Sequence, residues 1–279
     1  MLKFIYRFVR SSFFLAVFLL SVLVTMPLSY LFLSIVRQSS FRRNYCILRS
    51  HIYFWLLVAG IRVEAIGLDN LLGLDGAVLV SNHQSMIDPW IVISWLPKPI
   101  YTLIAEEIVR IPVLPLQYMF RKSGAVSISG ALKGNSQISI GKIAELVKKG
   151  ESLLVFAEGI TTIDGSLLRF KWGAVEIASL SGKPIVPVAL KGTYECFPPL
   201  HKLFVEVLAG SHLGKSKIGM LWAFSKVLFS VPFRFNQGTC RVKFGKPISI
   251  PGQKEADLDF LRETSEQLRN QVMELMNSF

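Results

Sequence analysis

A histidine and an aspartate stand five residues apart in the stretch NHQSMIDP, which covers residues 82–89 and follows an apolar run. Two residues five apart do not share a face of a straight helix or of a strand. Their side chains can, however, converge in a turn that leads into a helix. A carboxylate that holds one imidazole nitrogen leaves the other free to take a proton from a substrate hydroxyl. His83 and Asp88 are therefore a candidate general base and its partner. The structural alternative is that Asp88 only caps a helix that starts at Pro89.

A second polar loop follows the apolar run SLLVFA. It begins with EGIT at residues 158–161, and FKWG follows at residues 170–173 with Lys171 as its cation. In open α/β sheets, chemistry usually sits in loops beyond the carboxyl ends of strands, so both loops are candidate parts of one site. Alone, however, a glycine after a strand is most often a turn residue, and a lone lysine is most often a solvated charge.

No metal site or disulfide framework is expected. The remaining histidines lack the spacing of metal ligands: they are His51, His201 and His212. The cysteines are few, odd in number and widely spaced, so they offer neither a ligand pair nor a disulfide scaffold: they are Cys46, Cys196 and Cys240.

The composition limits the class of protein. The chain has 279 residues, of which 51% are hydrophobic, and it carries 31 Lys+Arg against 19 Asp+Glu, a net charge of +12. Disorder is excluded, because a disordered chain combines its charge with low hydrophobicity. A chain that is both apolar and basic favours an anionic membrane surface or a nucleic acid as its partner.

Residues 1–61 are predicted to be membrane-embedded helices. Ser11–Val36 is a run of 26 uncharged residues with basic residues on both sides, and about 20 apolar residues suffice to cross a bilayer. Pro27 lies inside the run and predicts a kink or break. Three arrangements stay open: one spanning helix, a hairpin in one leaflet with both basic ends on the same side, and a helix buried in a soluble core. The break at Pro27 and the two basic flanks favour the hairpin.

Residues 62–279 are predicted to form an α/β domain, a mostly parallel sheet flanked by helices, because β-type runs alternate with helical patterns. The predicted strands are Arg62–Ala65, Ala77–Ser81, Ile100–Ile104, Ala125–Ile128, Ser152–Ala157, Pro184–Leu190 and Thr239–Phe244. The predicted helices are Pro89–Leu96, Ser136–Lys149, Trp172–Ser181 and an amphipathic one at Asp257–Met276.

An apolar and basic segment at residues 201–235 interrupts the alternation. Its core, Leu213 to Phe235, mixes aromatic side chains with cations, which is typical of a helix on an anionic lipid surface. The equal alternative is an ordinary helix that covers a sheet edge. A nucleic-acid partner is disfavoured, because the apolar density is too high and no binding motif is present.

Taken in order, these motifs resemble those of the glycerolipid acyltransferases typified by 1-acyl-glycerol-3-phosphate acyltransferase. The first motif of that family, Asn-His followed by four residues and Asp, is matched in full by Asn82, His83 and Asp88. Its third motif, Phe-Pro-Glu-Gly-Thr-Arg, is matched in part by FAEGIT at residues 156–161. Its Phe-Lys-x-Gly and Val-Pro-Val elements match residues 170–173 and 186–188, so the resemblance covers roughly residues 60 to 250.

The resemblance implies an O-acyltransferase of membrane phospholipid biosynthesis. Asp88 would orient His83, which would take the proton from the hydroxyl of a lyso-lipid, most simply 1-acyl-sn-glycerol-3-phosphate, and the hydroxyl would attack the thioester of acyl-CoA or acyl carrier protein. The residues expected to bind the acceptor are Glu158, Gly159, Thr161 and Lys171. The residues expected to support the motifs are Asn82, Phe156 and Pro187.

The same resemblance implies membrane lipids and the acyl donor as partners, no metal, cofactor or nucleic acid, and a catalytic domain on the cytoplasmic side of the inner membrane. Two arginines of the family are missing, because Gly130 and Thr161 stand in their places. In the family these arginines are thought to help to hold the acceptor phosphate, which suits a guanidinium fork. Their loss leaves two alternatives: another acceptor, such as a lyso-ornithine lipid or a lysophospholipid in remodelling, and a non-catalytic lipid-binding module. A third alternative is a hydrolase that uses the same base with water, although it would lack the usual Gly-x-Ser-x-Gly elbow.

Overall fold

The computed structural model describes residues 2–37, 40–96, 98–105, 108, 111–128, 136–199, 216–252 and 257–279. Within them the helices are α1 (Leu2–Leu20), α2 (Met26–Ile35), α3 (Phe41–Ala59), α4 (Asp88–Trp95), α5 (Leu114–Lys122), α6 (Ser136–Lys148), α7 (Gly173–Ser181), α8 (Thr193–Cys196), α9 (Lys217–Arg234) and α10 (Leu258–Asn277). The strands are β1 (Ile61–Ile66), β2 (Val78–Ser81), β3 (Tyr101–Ala105), β4 (Ala125–Ile128), β5 (Leu153–Phe156), β6 (Ile185–Lys191) and β7 (Gly238–Phe244).

The described strands form one sheet in the order β1-β7-β6-β2-β5-β3-β4. Neighbouring strands are parallel except β6 and β7, which are antiparallel. β1 and β7 therefore begin at the edge where β2, β5 and β6 end. All seven strands, and the four helices predicted in the α/β domain, lie within one residue of their predicted bounds at each end. The predicted mostly parallel α/β fold is confirmed.

Helices cover both faces of this sheet, because strand side chains point alternately to opposite faces. On β2, Leu79 is buried in one apolar cluster and Val80 in the other. The first cluster is closed by α1–α5 and α9, and the second by α6, α7 and α10. The N-terminal helices thus form one layer of the fold, packed on the sheet that carries the candidate site.

Of the kink or break predicted at Pro27, the break is wrong, because the helix continues through the proline. A five-residue π-helical turn, Ser21–Thr25, comes directly before the proline. The amide of Met26 donates to the carbonyl of Ser21, five residues back. This wider turn accommodates a proline that has no amide proton and whose ring would crowd an ordinary α-helical turn.

A helical hairpin is present, but the chain reverses direction between α2 and α3 instead of at Pro27. α3 starts at a Ser40 cap and returns antiparallel to α1 and α2. Thr25 Oγ1 lies 3.1 Å from His51 Nε2, and the rings of Phe18 and Trp55 are 4.8 Å apart. The two basic flanks of the apolar run therefore lie at opposite ends of one long helix.

This long helix is mostly exposed on its outer side. Ile5–Ile35 is the one helix among the described residues that is long and apolar enough to cross a membrane, and 28% of its most apolar window is buried. The interpretation as a buried core helix therefore does not fit. The exposed apolar side chains recur along one stripe: Ile5, Val9, Phe13, Leu20, Val24, Leu28, Leu31 and Ile35.

The segment predicted to be apolar and basic contains α9. Residues 200–215 lie outside the described residues, so the first half of the segment is not placed. α9 packs against α1, and the ring of Phe235, directly after it, lies 4.5 Å from that of Phe14. The helix therefore joins the N-terminal layer.

Candidate active site

The first loop leaves the sheet at a point set by Asn82. Its side-chain Nδ2 donates to the carbonyl of Leu190 at 3.0 Å, and its Oδ1 accepts from the amide of Leu190 at 2.8 Å. These two bonds extend the hydrogen bonding between β2 and β6 by one residue, because the side-chain amide of Asn82 takes the place of a backbone amide. The following residue, His83, therefore starts from a defined position at the carboxyl edge.

The turn from His83 to Asp88 closes around one carboxylate oxygen. Asp88 Oδ2 accepts from His83 Nδ1 at 2.8 Å and from the amides of Gln84 and Ser85 at 2.6 and 2.8 Å. Asp88 is completely buried and is the first residue of α4, where the helix dipole favours a negative charge. The cap position is Ile87, which makes no side-chain cap bond. Helix capping alone therefore does not explain the burial and the hydrogen bonds of Asp88.

The imidazole of His83 is held on one side and open on the other. Its ring stacks on Phe156 with centroids 4.3 Å apart, and its side chain is 19% exposed. Because Nδ1 donates to a carboxylate, Nε2 carries the lone pair. Nε2 has no hydrogen-bond partner among the described residues. The geometry places a base at the surface of the site, with Asp88 behind it to stabilise the imidazolium.

Glu158 braces the two loops together. Its Oε1 accepts from the amide of His83 at 2.7 Å, and its Oε2 accepts from the amide of Leu168 at 2.8 Å. The residue is 3% exposed, and this burial raises the pKa of its carboxyl to about 6. Both oxygens are engaged by backbone, so the contacts support a positioning role for Glu158 instead of the predicted contact with an acceptor.

Gly159 and Lys171 are close together beside this brace. Gly159 has a φ of 73°, and a Cβ built on it would lie 2.6 Å from Lys171 Nζ, so a larger residue would displace the ammonium. The amide of Lys171 donates to the carbonyl of Ala157 at 2.8 Å. Its exposed ammonium makes no ion pair with the described residues, and it is available to an anion.

The neighbouring threonines have different positions. Thr161 makes no hydrogen bond with the described residues, whereas the amide of buried Thr162 donates to the carbonyl of His83 at 2.9 Å. Thr162 also donates through its hydroxyl to Asp164, whose pKa is lowered to about 2 by this bond and two from Ser166. Sequence reasoning missed Thr162, because only the path of the loop distinguishes it from Thr161.

Two further bonds to the turn from His83 to Asp88 were also missed. Gln84 Nε2 donates to the carbonyl of Gly165 at 2.8 Å, and Ser85 Oγ donates to the carbonyl of Phe197 at 2.6 Å. Ser85 is therefore engaged as a donor to backbone and is not presented to His83 as a nucleophile. Pro187 lies inside β6, where its carbonyl accepts from Gly245, and it supports the sheet beneath the turn.

One position of interest is not placed by the structure. Gly130, which stands where the family has an arginine, lies outside the described residues. The described part of the chain contains no group of three or more His, Cys, Asp or Glu side chains that could hold a metal, and the absence of a metal or cofactor stays a prediction.

A histidine that is held by a buried aspartate at the carboxyl edge of a parallel sheet can act as a base toward a hydroxyl group. Comparison with known proteins points in the same direction. Residues 62–191, slightly less than half of the chain, match the acyltransferase family model. The resemblance inferred from the motifs is confirmed.

The relatives support this assignment. The chain is 37% identical over 134 residues to the chloroplastic 1-acyl-sn-glycerol-3-phosphate acyltransferase BAT2 of Brassica napus, covering 47% of this chain and 38% of that protein. It is 31% identical over 144 residues to the 1-acyl-sn-glycerol-3-phosphate acyltransferase of Cocos nucifera, covering 50% and 44%. The matched part thus spans about two fifths of each relative.

A solved structure shows the same fold. The 1-acyl-sn-glycerophosphate (LPA) acyltransferase PlsC from Thermotoga maritima superposes with a TM-score of 0.70 at 19% identity, covering 98% of both chains. The likeness therefore extends over the N-terminal helices as well as the sheet.

Replacing His83 with alanine should reduce acyl transfer to near background without unfolding the protein, because the backbone amide that reaches Glu158 is retained. Asp88→Asn should also be severe, since it removes the charge that supports the imidazolium; general base catalysis contributes about 10²–10⁴ in rate. Turnover with a labelled acyl thioester measures both losses, and circular dichroism checks the fold. His51→Gln is the matched control and should keep its turnover. Wild-type turnover in both site variants would refute the assignment.

The raised pKa of Glu158 predicts a pH dependence of stability. A carboxyl whose pKa is higher in the folded protein than in the unfolded chain stabilises the fold at low pH, and this contribution is lost as pH rises through about 6. At 1.36 kcal/mol per pKa unit, the loss is about 2 kcal/mol. The free energy of unfolding of the wild type minus that of Glu158→Gln should fall by this amount between about pH 4 and pH 8. A flat or rising difference would contradict it.

Proposed function

We propose that this protein transfers an acyl chain from acyl-CoA or acyl carrier protein to the hydroxyl of a lyso-glycerolipid, with 1-acyl-sn-glycerol-3-phosphate as acceptor and phosphatidate as product. The observation that carries the proposal is the outward Nε2 of His83, backed by the Oδ2 of Asp88 at 2.8 Å from Nδ1. The relatives described above are named as 1-acyl-sn-glycerol-3-phosphate acyltransferases, which supports the choice of acceptor.

The proposed reaction uses one base for two proton transfers. Nε2 of His83 takes the proton of the acceptor hydroxyl while the hydroxyl oxygen attacks the thioester carbonyl. The carbon–sulfur bond then breaks, and the imidazolium returns the proton to the leaving thiolate. Asp88 stabilises the imidazolium between these two steps. No metal, cofactor or covalent enzyme intermediate is needed.

Lys171 is the proposed partner of the acceptor phosphate. Of the two positions where family arginines are missing, Thr161 offers no cation, and the ammonium of Lys171 lies against Gly159 next to the Glu158 brace. An ammonium is a point charge and lacks the bidentate fork of arginine, so it discriminates less sharply among anionic head groups. This weaker discrimination favours activity on a second acceptor, such as a lyso-ornithine lipid. A non-catalytic lipid-binding role is disfavoured, because the base and its brace are complete.

The N-terminal helices are proposed to embed in one leaflet, with the α/β domain on the cytoplasmic side. The 31-residue helix is about 46 Å long, which exceeds the roughly 30 Å hydrocarbon core. It contacts the rest of the protein along its length, through Phe14, Phe18, Thr25 and Tyr30. Crossing the bilayer would break these contacts, whereas lying in the interface would place only the exposed apolar stripe in lipid.

A panel of lyso-lipid acceptors offered with a labelled acyl donor tests the function and the role of Lys171. We expect 1-acyl-sn-glycerol-3-phosphate to be the best acceptor, with appreciable activity on at least one other. Lys171→Ala should raise the KM for the phosphate acceptor about tenfold, since a charge-assisted hydrogen bond contributes about 1.5–3 kcal/mol, and should leave kcat nearly unchanged. Lys142→Gln, which removes an exposed cation of helix α6, is the control. No transfer to any acceptor would refute the function, and an unchanged KM would remove Lys171 from the site.

Single cysteines at Lys3 and Ser40, which lie on either side of the apolar run, test the one-leaflet arrangement. The exposed Cys46 is first replaced with serine, and the remaining cysteines are buried. A membrane-impermeant maleimide should label both positions from the same side of a sealed vesicle, because both helix ends face one aqueous phase. Labelling from opposite sides would establish a spanning helix instead.

A further inference from the structure

Helix α9 presents an apolar stripe to solvent. Its exposed side chains recur at helical spacing: Ile218, Trp222, Lys226 and Phe229. Ile218 is 81% exposed and Phe229 is 76% exposed. A surface helix of a globular protein ordinarily directs polar residues outward, so the interpretation as an ordinary covering helix does not explain this face. Large apolar side chains that recur along an exposed face mark an interaction surface.

The charge of α9 is of one sign. Its sequence, KIGMLWAFSKVLFSVPFR, contains three cations and no acidic residue. The ammonium of Lys226 lies 3.4 Å from the centroid of the Trp222 ring, whereas Arg234 donates to the carbonyls of Pro198 and Pro199 and is held by the protein. Exposed aromatic and aliphatic groups with a cation among them fit an anionic lipid surface. An acidic protein partner would call for a more charged face.

α9 packs beside the N-terminal helix, which exposes apolar side chains of its own. The end of α9 is tied to α1 by the contact of Phe235 with Phe14 and by hydrogen bonds from Arg10 and Ser11 to the carbonyl of Phe235. α1 exposes Ile5, Val9 and Phe13 in this region. One surface can therefore contact one leaflet through both helices.

The same end of α9 is also close to the catalytic turn. The ring of Phe235 lies 5.0 Å from that of Phe197, and the carbonyl of Phe197 accepts the hydroxyl of Ser85 at 2.6 Å. Ser85 in turn donates its amide to Asp88. A lipid surface in contact with this end of α9 would therefore lie beside the loops that surround His83.

We propose that α9 is a second membrane contact, which lies in the head-group layer of an anionic leaflet and seats the rim of the active site against it. Three cations within its 18 residues make it an interfacial helix and not a spanning one. The contact itself does not depend on the acyltransferase function, whereas its consequence for acceptor delivery rests on the proposed function.

An environment-sensitive fluorophore on Phe229→Cys, in the full chain with Cys46→Ser, tests the contact directly. The probe surfaces are phosphatidylcholine vesicles with and without phosphatidylglycerol, each carrying a nitroxide lipid. The nitroxide should quench the label at 229 on anionic vesicles. The matched control is Met273→Cys on α10, an exposed apolar position on the opposite face, where the label should stay unquenched.

Two variants that carry no label measure the energetic and kinetic effects. Lys226→Gln should weaken partition onto the anionic vesicles about fivefold, the equivalent of about 1 kcal/mol per cation, and should leave partition onto phosphatidylcholine unchanged. Phe229→Ser should raise the KM for vesicle-borne acceptor several-fold without raising the KM for a dispersed short-chain acceptor. Lys142→Gln and Met273→Ser are the matched controls.

Three other outcomes overturn the proposed membrane contact. A label at 229 that stays in water while the protein is vesicle-bound leaves membrane contact to the N-terminal helices alone. A label protected without lipid, together with a doubled mass, assigns the stripe to a second copy of the chain. Protection by acyl carrier protein assigns it to an acidic partner. If the label enters lipid but no acceptor is acylated, the proposed function fails and the membrane contact stands.

Discussion

The candidate site depends on one buried carboxylate. Asp88 is sealed from solvent, and a buried charge is costly unless hydrogen bonds compensate it. Three donors converge on its Oδ2, namely the imidazole of His83 and the amides of Gln84 and Ser85. In this closed form all three donors reach Oδ2, whereas the buried Oδ1 has no hydrogen-bond partner among the described residues. Closure also selects which imidazole nitrogen faces outward, so stability of the turn and the presence of a base have the same cause.

The sheet holds this turn from several sides. Asn82 ties its start to β6, Glu158 ties the amide of His83 to the loop after β5, and Ser85 ties its centre to Phe197. These anchors belong to strands that are neighbours in space and distant in sequence. The turn, the end of α9 and the start of α1 lie at one edge of the sheet. The proposed base and the apolar surfaces of the protein are therefore close together.

Much of this could be predicted from the sequence. Strands such as β2 and β6 are continuous apolar runs bounded by turn residues, so their bounds were predicted to within a residue, and the spacing of His83 and Asp88 indicated their convergence. The role of Glu158 could not be found, because its partners are backbone amides, which have no sequence signature. At Pro27 the local rule predicted a break, but packing of α1 and α2 against the rest of the fold favours a π-helical turn.

The central claim is that Asp88 holds the proton on Nδ1 of His83 and leaves Nε2 as the base. Nitrogen-15 NMR of histidine-labelled protein tests it most directly, with His83→Gln to assign the signal. The nitrogen-15 chemical shift distinguishes a protonated from an unprotonated ring nitrogen of a neutral imidazole. We expect a proton on Nδ1 in the wild type and loss of that preference in Asp88→Asn. A wild-type His83 protonated on Nε2 would contradict the account.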